Sequence, residues 1–145
     1  MEFDELDIIQ IPINIFDLRL INSGLLKQLK LHGIEIHARS IYLQGLLLMS
    51  EERLPSYLEE ARQYTSKLQE LSGKCGLTSS QLALLFVRDI SEIDRVIIGC
   101  ESTDQLEDNV NSFGLPKLEE SLFLEILDTF KEISDDIVNP TKWRR

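Results

Sequence analysis

Short β-branched segments alternate with longer amphipathic ones, and this alternation restricts the fold more than any other feature of the chain. Leu6 to Ile13 is mostly apolar, with Gln10 and Pro12 set inside it. Such a run suits a strand covered on both faces, as in a parallel sheet. Ile34 to Arg39 is a second strand, with Ile34, Ile36 and Ala38 on one face and Glu35, His37 and Arg39 on the other. Val96 to Ile98 is a third. Helical patterns fill the intervals. Leu25, Leu26 and Leu29 belong to one that stops at Gly33, and Leu58, Ala61, Leu68 and Leu71 form a stripe that predicts a long helix over Glu51 to Gly73. Thr78-Ser79-Ser80-Gln81 has the form of a capping box opening a helix from Gln81 to Arg88. Ser102-Thr103-Asp104-Gln105 has the same form and starts the helix that carries Asn109. Leu122, Phe123, Ile126, Leu127, Phe130 and Ile133 mark a C-terminal amphipathic helix. Strands alternating with helices imply right-handed βαβ units, so the expected class is α/β with a parallel sheet. Three strands are few for 145 residues, and so narrow a sheet leaves two edges to protect.

Composition removes several functions. The formal net charge is −10, which opposes a nucleic-acid partner, because phosphate binding needs a basic surface. The C-terminal Lys142-Trp143-Arg144-Arg145 is too short to reverse this. No apolar run approaches the roughly 20 residues of a membrane span. The start, MEFDELD, is acidic where a signal peptide is basic and then apolar. Cys75 and Cys100 form no CxxC pair, which argues against a disulfide framework or zinc site and fits a cytoplasmic location.

The stretch VIIGCESTDQLEDN, Val96 to Asn109, reads as a strand, a tight turn and a helix start. Unpaired N–H groups and the dipole at a helix N-terminus attract an anion without a lysine. Ser102 and Thr103 add hydroxyl donors. Yet Glu101, Asp104, Glu107 and Asp108 supply four acids, and no lysine or arginine accompanies them. A simpler reading of the same residues, compatible with binding, is that Ser102 caps the helix and Asp104 complements its dipole.

Three pieces of the chain together resemble the C-terminal part of an aldo/keto reductase: IIQIPIN around Gln10, RSIYLQGLLL from Arg39 to Leu48, and GCESTDQLEDN from Gly99 to Asn109. The resemblance extends to the helix before GLTSSQLALLFV and to the ending NPTKW. It implies a partial (β/α)8 TIM barrel, with residues 1–145 supplying strands six, seven and eight, in a family that uses NADP or NAD to reduce carbonyl groups. A full barrel takes about 250 residues, with its active site at the C-terminal ends of the strands. On this alignment strands one to five are missing, and with them the family's catalytic tyrosine, lysine, aspartate and histidine. Met1 stands just before strand six, which suggests a truncated reading frame or a fragment.

The resemblance also implies site residues. Gln10 would hydrogen-bond the nicotinamide carboxamide, since an amide both donates and accepts. Arg39 stands where the family has an aromatic residue; it would either stack on the nicotinamide or pair with an acid such as Glu35. Ser40 would help hold the pyrophosphate, although the proline that normally follows is Ile41 here. Leu43, Gln44 and Gly45 keep the family pattern of the next turn. Gly99 and Ser102 would bound the adenosine end, while Asp108 and Asn109 would bind the adenine. Gln105 stands where the family carries an arginine for the 2′-phosphate of NADP, and Glu101 and Asp104 would repel that group, so preference for NADP is weakened. Tyr42, Tyr57, Tyr64, His32 and His37 offer no replacement for the missing acid, and no catalytic residue is assigned. Two functional classes follow. One is the cofactor-side part of an NAD(P)H-dependent reductase, inactive alone. The other is a non-catalytic protein that self-associates through exposed strand edges or binds the missing N-terminal half.

Overall fold

A computed structural model describes residues 5–143. Three parallel strands, β1 (Ile8–Pro12), β2 (Glu35–Arg39) and β3 (Arg95–Val96), form one sheet in the order β1-β2-β3. The register pairs Gln10 with His37, Pro12 with Arg39 and His37 with Arg95. Ile9, Ile11, Ile36, Ala38 and Val96 therefore share one face, and Ile8, Gln10, Pro12, Glu35, His37, Arg39 and Arg95 the other.

The helices α1 (Arg19–Asn22), α2 (Leu25–Leu31), α3 (Arg62–Lys74), α4 (Ser79–Arg88), α5 (Thr103–Phe113), α6 (Glu120–Thr129) and α7 (Asp135–Val138) complete the chain. They cover the first face of the sheet, and Ile36 and Ala38 are fully buried. Helix α4 lies deepest. Its run Leu82, Ala83, Leu84, Leu85, Phe86, Val87 is buried on every side, as an all-apolar helix segment must be in water. Phe86 stacks on Phe123 of α6 with ring centroids 5.0 Å apart, and Phe130 packs on Phe16 at the same distance. Among the described residues no helix is long and apolar enough to cross a membrane.

The second face of the sheet is bare. Ile8 is 50% exposed, and Gln10, Pro12, Arg39 and Arg95 are exposed with it. The expectation that Leu6 to Ile13 is covered on both faces is corrected here: only Ile9, Ile11 and Ile13 point into apolar surroundings. Parallel sheets are ordinarily covered on both sides, whereas the described residues cover this one on a single side.

Two further expectations change. The long helix does not run from Glu51. Residues Glu51–Arg53 and Ser56–Ala61 are separate 3₁₀ turns, and the α-helix starts at Arg62. Pro55 is the cause: it holds Leu54 extended at φ −69°, ψ 121°, which breaks the helix before it can form. The stripe itself is correct, since Leu58, Ala61, Leu68 and Leu71 are all buried. The third strand is shorter than Val96 to Ile98, being Arg95–Val96 with one further backbone bond from Ile97 N to Ala38 O at 2.7 Å. No strand among the described residues pairs with its outer edge.

Candidate functional site

At the C-terminal ends of β2 and β3 the chain forms a cleft of about 480 Å³. One wall is the loop after β2. Ser40, Leu43 and Gln44 adopt left-handed backbone conformations there, with φ of 59°, 47° and 52°, followed by Gly45 at 86°. Left-handed φ is costly for residues with a Cβ, and such clusters concentrate at ligand sites. The loop's anchor is Leu43, which is 2% exposed and sunk into the core with Leu46 and Leu47. The opposite wall is the Gly99-to-α5 segment. The Thr78 capping box opens α4 as expected, and Ser80 of that first turn reaches the cleft floor.

Seven of the residues singled out from the sequence line this cleft: Ser40, Gln44, Gly45, Gly99, Gln105, Asp108 and Asn109. Others lie apart. Gln10 and Arg39 sit on the bare sheet face, and Leu43 is buried behind the loop. Ser102 caps α5 by accepting from Gln105 N at 3.2 Å. The reciprocal bond of a capping box is displaced: Gln105 Oε1 accepts from Glu101 N at 2.8 Å, rather than from Ser102 N. The Gln105 side chain is thus folded back onto its own helix start.

Arg39 does not pair with Glu35. The Glu35 carboxylate is occupied by Arg95 Nε and His37 Nε2, both at 2.7 Å, and these two neighbours hold its pKa below the usual carboxylate range. Arg39 instead donates to Ser40 Oγ at 3.3 Å. Asn14, at the end of β1, is structural: its Oδ1 accepts from Phe16 N and Asp17 N at 3.0 Å, and its Nδ2 donates to Ser40 O. It ties the ends of β1 and β2 together and leaves the cleft to others.

Sequence reading missed Tyr42 as a site residue. Its hydroxyl donates to Asn109 Oδ1 at 2.6 Å, joining the two walls across 67 residues of sequence. Burial pushes the phenol up to about 12, so it is a fixed donor and a poor acid. No local pattern marks such a long-range pair. Glu101 and Asp108 line the cleft, and no lysine or arginine is among its described lining residues.

This set of backbone donors, amides and hydroxyls, without a cation, suits a hydroxyl-rich ligand with at most weakly held phosphates. The sequence model of the aldo/keto reductase family matches residues 1–128. The chain belongs to the aldo/keto reductase family. Solved structures agree on the fold. It is similar to the aldo-keto reductase AKR11C1 from Bacillus halodurans, in its holo form, at 20% identity and a TM-score of 0.73, over 93% of this chain and 46% of that one. It is also similar to the glycerol dehydrogenase AKR11B4 from Gluconobacter oxydans, at 19% identity and a TM-score of 0.66, over 92% of this chain and 44% of that one. No curated protein sequence matches the chain. The chain thus spans less than half the length of these relatives. Its three parallel strands with their helices are part of an α/β barrel, which accounts for the bare inner face.

Proposed function

We propose that this chain is the cofactor-side part of an NAD(P)H-dependent aldo/keto reductase and is inactive alone. The observation that carries this reading is the convergence of Ser40, Gln44, Gly45, Gly99, Gln105, Asp108 and Asn109 on one cleft at the strand ends. These residues fit the adenosine end of a dinucleotide. The N-terminal turn of α5 and the Ser40 region offer hydrogen-bond donors, while the carboxylate of Glu101 suits ribose hydroxyls and that of Asp108 the adenine amino group. They oppose a 2′-phosphate, so NAD(H) is favoured over NADP(H). The bound cofactor supplies the hydride that reduces an aldehyde or ketone. This chain's residues bind and orient it, and the proton donor belongs to the part of the barrel outside these residues. Two exposed free thiols, Cys75 and Cys100, support a reducing, cytoplasmic setting.

A thermal melt in excess NADH, NADPH and ADP-ribose tests this. A ligand at 100 times its Kd stabilises the folded state by about 2.7 kcal/mol. The expected result is a shift with NADH and ADP-ribose, a smaller one with NADPH, and no carbonyl reduction with either cofactor. Absence of any shift refutes the binding reading; turnover by rigorously purified protein refutes the inactivity.

A second reading has its own support. Leu106, Val110 and Phe113 form a stripe on α5 that is 53%, 63% and 47% exposed. Such a surface favours association, either with a second copy or with the barrel units that its relatives carry beyond this span. Light scattering that shows a monomer at all concentrations counts against self-association.

A further inference from the structure

The cofactor reading leaves the Tyr42 side chain, which lines the cleft, without a role. Its hydroxyl donates to Asn109 Oδ1 at 2.6 Å, while Asn109 Nδ2 donates to Cys100 Sγ at 3.4 Å. Both ends of the amide are thereby anchored, one to the loop after β2 and one to the turn before α5. A primary amide has two donor hydrogens and two acceptor lone pairs. These contacts use one of each, so one N–H and one lone pair remain on a group that lines the cleft.

We propose that Tyr42 is a positioning residue that fixes the Asn109 amide as a donor–acceptor pair selective for a 6-aminopurine over a 6-oxopurine. The inference rests on the reading of the cleft as an adenosine site and adds to it a residue that positions the Asn109 amide. An anchored amide presents a donor to N7 and an acceptor to the 6-amino group, a bidentate match that a 6-oxo group cannot make. An amide free to rotate about its side-chain torsions loses much of that discrimination, because it pays the ordering cost on binding. The Tyr42 phenol, pushed up to about 12, stays protonated through the neutral range and donates throughout it.

The test is isothermal titration of the full chain with ADP-ribose and its hypoxanthine analogue, for wild type, Y42F, N109A and the double variant. Wild type is expected to prefer ADP-ribose by about tenfold. In Y42F the preference should fall to about threefold or less, through weaker ADP-ribose binding, with ribose 5-phosphate affinity unchanged. The double variant should bind like N109A, since Tyr42 acts only through Asn109. Equal preference in wild type and Y42F overturns the inference while leaving the adenosine reading intact. Additive losses in the double variant overturn it as well. Failure of wild type to bind ADP-ribose removes both. A circular-dichroism melt of Y42F separates loss of fold from loss of selectivity, and Y42F with an unchanged melt and unchanged preference is decisive against the role.

Discussion

Replacing Arg88 by alanine tests what holds the α5 wall of the cleft in place. Arg88 is the last residue of α4, and its guanidinium reaches across to the segment after α5. Nη1 donates to Phe113 O and Leu115 O at 2.7 Å, and Nη2 to Pro116 O at 3.1 Å. Nε donates to Asp89 Oδ1 at 2.7 Å, and Asp89 Oδ2 accepts from Leu118 N at 2.8 Å. The two side chains are only 12% and 6% exposed. R88A therefore strands a buried carboxylate and leaves three carbonyls without their charged donor. Breaking a buried pair from one side costs about 3–5 kcal/mol. At about 2–4 °C per kcal/mol for a domain of this size, the melting temperature should fall by roughly 6–20 °C. R88K should lose part of this, since an ammonium cannot span the same fork. K131A is the control: Lys131 and Asp128 are 56% and 79% exposed, and solvent screening leaves such a surface pair with little net stabilisation. Urea and thermal denaturation followed by circular dichroism measure all three. If R88A costs no more than K131A, the Arg88–Asp89 clamp does not hold α5 and the argument is wrong.

Asp94 gives a pH prediction. Its Oδ2 accepts from Ile36 N and Lys30 Nζ at 2.7 Å, which lowers its pKa below the ordinary value. A depressed folded pKa means that the unfolded chain binds the proton more readily, so the contribution is present above about pH 4 and is lost as pH falls through the folded value. The melting temperature should drop steeply below that pH in wild type and less steeply in D94N, and parallel acid limbs would refute the assignment. Gln44, at φ 52° and ψ 33°, is the other target. Q44G removes the Cβ clash of the left-handed region and should raise stability by about 0.5–1 kcal/mol in the same urea assay, whereas a loss would mean that the side chain is needed to hold the loop.

The legible and illegible parts of this chain divide by the range of the interactions involved. The Thr78 box and the burial of Leu58, Ala61, Leu68 and Leu71 follow from local spacing, and both appear in the structure. The alternation of strand and helix was sufficient to set a parallel sheet. The helix at Glu51 failed because an apolar stripe persists through 3₁₀ turns, while Pro55 decides the backbone. Glu35 and Arg39 share a strand face, but Arg95, aligned opposite His37 between them, takes the Glu35 carboxylate, and no single-strand pattern shows that cross-strand partner. Tyr42 and Asn109 meet only because two βα units close around one cleft, and no window of sequence contains both. Most of the site's positions follow from the resemblance to a family, and the structure separates those that line the cleft from Gln10, Arg39, Leu43 and Ser102, which do not.

That separation has a consequence for affinity. On the proposed reading, the adenosine end of a dinucleotide meets two walls within this chain, the left-handed loop and the Gly99-to-α5 segment. The nicotinamide end meets Gln10 and Arg39 on a bare, solvated sheet face, where the covering strands belong to the rest of the barrel. Contacts made in water contribute little net free energy, because hydrogen bonds to the protein replace equivalent ones to solvent. Binding should then come from the adenosine side alone, and ADP-ribose and NADH should have the same Kd within about threefold, a difference under about 1 kcal/mol. Titration of both ligands against the same preparation decides it. A tenfold preference for NADH would mean that the nicotinamide is already enclosed by these residues, and that the open face is occupied in solution by a second copy or by a rearranged segment of the chain itself.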